Sequence, residues 1–122
     1  MVLELHRAIL FVKDLDRMTE FYTEGFGLRP DPSSAEKGWI VLESNVAALG
    51  LHVVPPAIGK NITIDGPPKA RQNTPTKLCF CTDDINRSRH HLITCGAHMF
   101  EVKPWGCDGI DPEGNVFQIN QM

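Results

Sequence analysis

The chain has 122 residues, enough for one hydrophobic core and too few for two ordinary domains. Hydrophobic residues make up 42% and charged residues 22%, a globular mix rather than a disordered one. A net charge of −3 argues against a nucleic-acid partner, which would favour a basic excess, and no apolar run approaches the roughly 20 residues of a membrane span.

The first six residues carry Glu4 and no apolar leader core, so a cytoplasmic protein is expected. Residues 5–12, LHRAILFV, read as a buried strand. Asp14 is placed as the N-cap of a helix in which Leu15, Met18 and Phe21/Tyr22 recur at helical spacing, and Gly25 and Gly27 end it. Residues 28–31 suggest a short strand. Residues 38–43 and 47–54 follow as a strand pair joined by a Ser44-Asn45 turn. Residues 55–75 hold Pro55, Pro56, Gly59, Gly66, Pro67 and Pro68, and fit a linker between modules, a lid or a plain surface connection.

The order then repeats. Residues 76–82 read as a strand, Asp83-Asp84 as a cap, and Ile85 and Leu92 mark a helix ending at Cys95-Gly96. Strands are expected at 98–102, 105–110 and 115–120, the last two joined by the turn Asp111-Pro112-Glu113-Gly114. Arg7, Asp14 and Arg17 recur as Lys77, Asp84 and Arg87, all 70 apart (84 − 14 = 70). Trp39 and His52 align with Trp105 and Gln118, both 66 apart (118 − 52 = 66). Landmarks kept in this order imply an internal duplication.

All four cysteines, Cys79, Cys81, Cys95 and Cys107, lie in the second half, so they do not staple the whole chain. They are expected to be reduced and buried as small apolar side chains. The adjacent His90 and His91 point about 100° apart on a helix and read as a solvated face. Trp39 and Trp105 fit either core or a stacking platform. Glu43 and Glu101 are the carboxylates available as general bases or as counter-charges.

LFVKDLDRMTEFYTEGFGL resembles the opening strand and helix of the glyoxalase / bleomycin-resistance / extradiol-dioxygenase (vicinal oxygen chelate) superfamily. GLHVVP resembles the end of that family's first module, and DGIDPEGNVFQI its closing D-P-x-G-N turn and last strand. The resemblance implies an α+β fold: two βαβββ modules forming a curved, cup-like mixed sheet with the helices outside. It spans a single domain, with module one at 1–54, a linker or lid at 55–74 and module two at 75–122. It also implies a homodimer.

In metal-dependent relatives, four His, Glu or Gln side chains from the first and last strands of the modules hold a divalent cation. Carried over by motif, those positions read Arg7, His52, Lys77 and Gln118. Arginine has no lone pair to give, and lysine ligates only when neutral, so no metal and no cofactor are expected. A one-residue slip would bring in His6, but the face of Arg7 also carries Ile9 and Phe11, while Ala8, Leu10 and Val12 suit packing under a helix.

The resulting expectation is a protein that binds a small anionic or polar aromatic molecule through Arg7, Phe11, Trp39, His52, Lys77 and Gln118, with His52 the one candidate for acid–base work. Arg7 and Lys77 also fit a structural ion pair or an exposed strand end. The alternative is a metal-dependent lyase, isomerase or dioxygenase of the glyoxalase type. Neither a nucleic-acid nor a membrane partner is expected.

Overall fold

The computed structural model describes residues 1–71 and 75–122, and its contacts divide the chain into two units, Met1–Ile62 and Thr63–Met122. In the first unit, β1 (Arg7–Val12) leads to α1 (Leu15–Glu20). Asp14 caps this helix by accepting the Arg17 N–H at 3.0 Å. Beyond Glu20 the helix widens into a π-turn, Phe21–Gly25, which the 3.6-residue spacing of the sequence did not signal. The turn buries Phe21 and Tyr22, whose rings lie edge to face at 5.0 Å. Gly27, at φ 70°, then reverses the chain.

Three strands complete the unit: β2 (Arg29–Pro30), β3 (Trp39–Glu43) and β4 (Ala48–Val53). Ser44 holds the β3–β4 turn, its Oγ accepting the N–H groups of Val46 and Ala47. One helical turn, α2 (Pro56–Gly59), follows, inside the segment read from sequence as loop.

The second unit repeats the order with β5 (Leu78–Thr82), α3 (Ile85–Thr94), β6 (His98–Met99), β7 (Cys107–Ile110) and β8 (Val116–Gln121). Asp84 accepts the Arg87 N–H at 3.0 Å, the same cap as in the first unit. The expected strands at 98–102 and 105–110 are shortened because Lys103 and Gly106 close a tight turn between β6 and β7.

The two sheets have one topology, β1-β4-β3-β2 and β5-β8-β7-β6, with the first strand of each unit parallel to its last. Each unit is therefore an α+β βαβββ module. Both ends of the segment between them are held by their own unit. Lys13 Nζ donates to the Ile62 carbonyl at 2.8 Å, and Arg71 donates through Nε to the Glu113 carbonyl at 2.9 Å. Of the segment read as linker or lid, residues 72–74 lie outside the described residues.

Helix and sheet meet over alternate strand residues. Val12, Leu49 and Leu51 are buried on the helix side of the first sheet, where α1 packs on β4 with Met18 buried. Phe117 and Ile119 are buried on the helix side of the second, with Leu92. Each such side chain contributes about 1.5–3 kcal/mol relative to exposure. Among the described residues no helix is long and apolar enough to cross a membrane.

The turn before β8 is built on a buried carboxylate. Asp111 Oδ1 accepts the N–H groups of Glu113 and Asn115, both at 2.9 Å, and its Oδ2 accepts Asn115 Nδ2 at 2.9 Å. Gly114, at φ 90°, sits so close to Lys69 and Arg71 that a Cβ would meet the Lys69 carbonyl at 2.5 Å. Asp111→Ala strands two N–H groups in this turn. A loss of about 2–3 kcal/mol is expected, read as a lowered denaturant midpoint with an unchanged slope.

Candidate functional site

Residues on adjacent strands that stand opposite one another share a face, so pairing decides which side chains meet. In the first unit Arg7, Ile9 and Phe11 stand opposite Ala48, Gly50 and His52, and His52 in turn stands opposite Trp39. This is the face away from α1, and it is apolar and open: Ile9 is 51% and Phe11 56% exposed. It brings together four of the residues singled out from sequence.

Gly50 organises this face. A Cβ there would lie 2.5 Å from Trp39 Cη2, so the missing side chain lets the indole lie flat across the strand. The Arg7 guanidinium stacks over that indole at 5.7 Å from the ring centroid. Arg7 Nε is buried without a hydrogen-bond partner, and no carboxylate among the described residues pairs with Arg7. His52 lies between two rings, edge-on to Phe11 at 5.6 Å and tilted against Trp39 at 5.9 Å. Trp39 is thus a platform and not core. His6 precedes β1 and is exposed, so no slip turns it onto this face.

In the second unit the corresponding face carries Lys77, Cys79, Cys81, Asp108, Gln118 and Asn120. Cys79 stands opposite Gln118, and Asp108 stands opposite Gln118 from the other side. Lys77 Nζ lies 3.1 Å from Asp108 Oδ1 and 5.5 Å from the Trp105 centroid. The pair is partly exposed, so its net worth is modest. Gln118 Nε2 donates to Asn120 Oδ1 at 3.0 Å, and Asn120 Nδ2 donates to the Trp105 carbonyl at 2.7 Å.

Several sequence expectations are corrected here. Val54 N–H donates to the Val12 carbonyl, and Met122 N–H to the Thr82 carbonyl, each at 2.8 Å. Counting back from these matched ends, the counterpart of His52 is Asn120, and that of Gln118 is Gly50. Trp39 and Gly106 likewise close matching bridges, to Glu36 and to Lys103, so Trp105 is not the register partner of Trp39. The strands of the two modules are offset differently, and one constant spacing read along the sequence could not show it.

Neither carboxylate proposed as counter-charge serves. Glu101 pairs with Lys103 at 3.3 Å, Glu43 is exposed at the end of β3, and Asp108 is the residue that meets Lys77. Its alternation with the buried Cys107 along β7 is the signal that would have found it.

The cysteines are also not uniformly buried. Cys79 and Cys81 are exposed because they alternate with the inward Leu78 and Phe80, while Cys107 is buried on the helix side. Burial pushes the Cys107 thiol above its ordinary range, an effect that neighbouring Arg89 opposes.

These residues do not suit a divalent cation. The first unit offers a guanidinium at Arg7 and no donor at all at Gly50, where the indole fills the space. The second offers an ammonium already paired to Asp108 and an amide bonded to Asn120. Among the described residues, no three His, Cys, Asp or Glu side chains cluster as metal ligands.

A family model described as a glyoxalase-like domain matches residues 7–120. No curated protein matches the chain. Solved structures with a similar fold include a glyoxalase/bleomycin resistance protein/dioxygenase family enzyme from Burkholderia phytofirmans PsJN. It is 19% identical, with 98% of each chain covered and a TM-score of 0.77. The fosfomycin resistance protein FosX from Listeria monocytogenes is 15% identical, covering 100% of this chain and 93% of that one, with a TM-score of 0.75. TioX from Micromonospora sp. ML1 is 17% identical, covering 97% and 98%, with a TM-score of 0.66. At these identities the likeness is one of fold.

Two outcomes are expected. Gly50→Ala should force the Trp39 ring off the strand and change the near-ultraviolet circular dichroism, for a stability cost of about 1–3 kcal/mol; an unchanged spectrum in a Trp105→Phe background would contradict the stacking. Under native conditions at mildly alkaline pH, a thiol reagent should modify Cys79 and Cys81 quickly and Cys107 only after unfolding, as mass spectrometry of the labelled peptides would show.

Proposed function

The chain belongs to the glyoxalase-like domain family, and on that premise we propose that it binds a small anionic molecule with an apolar or aromatic body. The ligand lies on the face of the first unit formed by Arg7, Phe11, Trp39 and His52. The observation that carries this reading is Arg7: a stacked, half-buried guanidinium whose Nε has no partner. A buried donor left unpaired is costly, and a carboxylate or phosphate oxygen satisfies it with a charge-assisted bond.

The indole beneath holds the guanidinium plane in place. Exposed Phe11 and Ile9 offer apolar surface to the rest of the ligand, and His52 adds a polar edge between the rings. Lys77 has the weaker claim, since Asp108 already meets its charge, and Gln118 is engaged by Asn120. On these two faces the described residues offer no donor set for a divalent cation, and the reading is of recognition and sequestration rather than metal-dependent turnover.

Calorimetric titration with benzoate and with the neutral benzamide tests it. Benzoate should bind more tightly, and its binding should weaken as salt rises, because charge attraction is screened over about 10 Å at 0.1 M. Arg7→Ala should cost benzoate about 1.5–3 kcal/mol and leave benzamide nearly unaffected. Equal binding of the two ligands by the wild type, or equal losses in the variant, would count against an anion site at Arg7.

A further inference from the structure

The face that carries Arg7 holds a second polar anchor. Gly50 lies midway between Ala48 and His52 on β4, and the Trp39 indole lies over it. Arg7 stands opposite Ala48, so guanidinium and imidazole come to that indole from opposite directions along the strands. Four residues of strand set their backbone positions roughly 13 Å apart in that direction. Yet the guanidinium lies 5.7 Å and the imidazole 5.9 Å from the indole. We propose that the site takes a planar aromatic molecule with two acidic groups, one on Arg7 and one on His52, and that His52 binds a proton as the second group docks. This rests on the anion site at Arg7.

Both anchors are open to a ligand, Arg7 half-buried and His52 exposed. On β1, exposed Ile9 follows Arg7, and exposed Phe11 stands opposite His52. The middle of the ligand therefore meets apolar surface, and its two ends meet polar groups. Two anchors on one flat face are best met by acidic groups at the 1 and 3 positions of a ring, which both point to one side of it.

The chemistry of His52 selects an acid for the second end. Imidazole changes charge within roughly pH 5–8, so it can meet an anion as a cation. On the strands beside β4 the charged residues are Arg7 of β1 and Glu43 of β3, with Lys13 following the one and Lys37 preceding the other. Glu43 stands opposite Ala48, at the Arg7 end, and Lys13 donates to the Ile62 carbonyl. Among the described residues no carboxylate pairs with His52. A proton on His52 is opposed by Arg7 until a second carboxylate offsets it, so proton and dianion bind together. The complex then holds more protons than the free protein, and affinity for a dianion rises as pH falls through the imidazole range.

Calorimetric titration of the whole chain with benzoate, isophthalate and 3-carbamoylbenzoate tests this at about pH 5.5 and about pH 8. At the lower pH isophthalate should bind about tenfold or more tightly than either monoanion, since a hydrogen bond to a charged group is worth at least that factor. The advantage should shrink at the higher pH. Between these limits, buffers of different ionisation enthalpy should report more proton uptake for isophthalate than for benzoate. In His52→Gln both the advantage and the extra proton should be lost, while Arg7→Ala should weaken all three ligands. Benzoate that binds no tighter than benzamide, or that ignores Arg7→Ala, removes the anion site and this inference with it. Suppose instead that benzoate is held through Arg7. Isophthalate no tighter than 3-carbamoylbenzoate, no extra proton, or an advantage intact in His52→Gln would then overturn the second anchor alone.

Discussion

Each unit depends on the parallel pairing of its first strand with its last. A parallel pair cannot be joined by a tight turn, so the chain between must cross over, and here it does so through a helix and two further strands. The helix covers one side of the sheet and takes the apolar alternate residues with it. The other side is left for residues that the core does not need. Arg7, Phe11 and His52 share that side only because β1 and β4 pair in one particular register.

Register also explains why the two modules, alike in order, differ in what they present. In the first, the position equivalent to Gln118 is Gly50, and the absent side chain admits an indole. In the second, the equivalent of Trp39 is Gly106. A Cβ on Gly106 would meet the Ile119 carbonyl at 2.7 Å, so the backbone itself packs there and the tryptophan is displaced into the turn. Both modules still end with a cation over a tryptophan, Arg7 over Trp39 and Lys77 over Trp105. The same contact is reached by different backbone routes.

The two cations part company in their counter-charges. Lys77 has Asp108 of β7, reached across β8, while among the described residues Arg7 meets the π-face of Trp39 and open surface but no carboxylate. A guanidinium stays charged under all ordinary conditions, so it cannot relieve burial by losing its proton as an ammonium can. The unmet demand therefore falls on Arg7, and the functional reading rests there more than on the pair of cations together.

Much of this was legible in the sequence because it is local. Asp14 and Asp84 mark helix starts through an oxygen that reaches three residues ahead, Gly27 and Gly96 mark the ends through left-handed backbone, and Asp111 with Gly114 marks the last turn. Strand alternation alone separates Arg7, Ile9 and Phe11 from Ala8, Leu10 and Val12, and the repeated order of these signals identifies the family. What the sequence could not supply was non-local. The match of Gly50 to Gln118, the pairing of Lys77 with Asp108, and the indole lying over Gly50 all follow from which strand lies beside which, and in what register. A strand's own residues set its two faces by period, but only hydrogen bonding to a distant partner decides which side chains those faces meet.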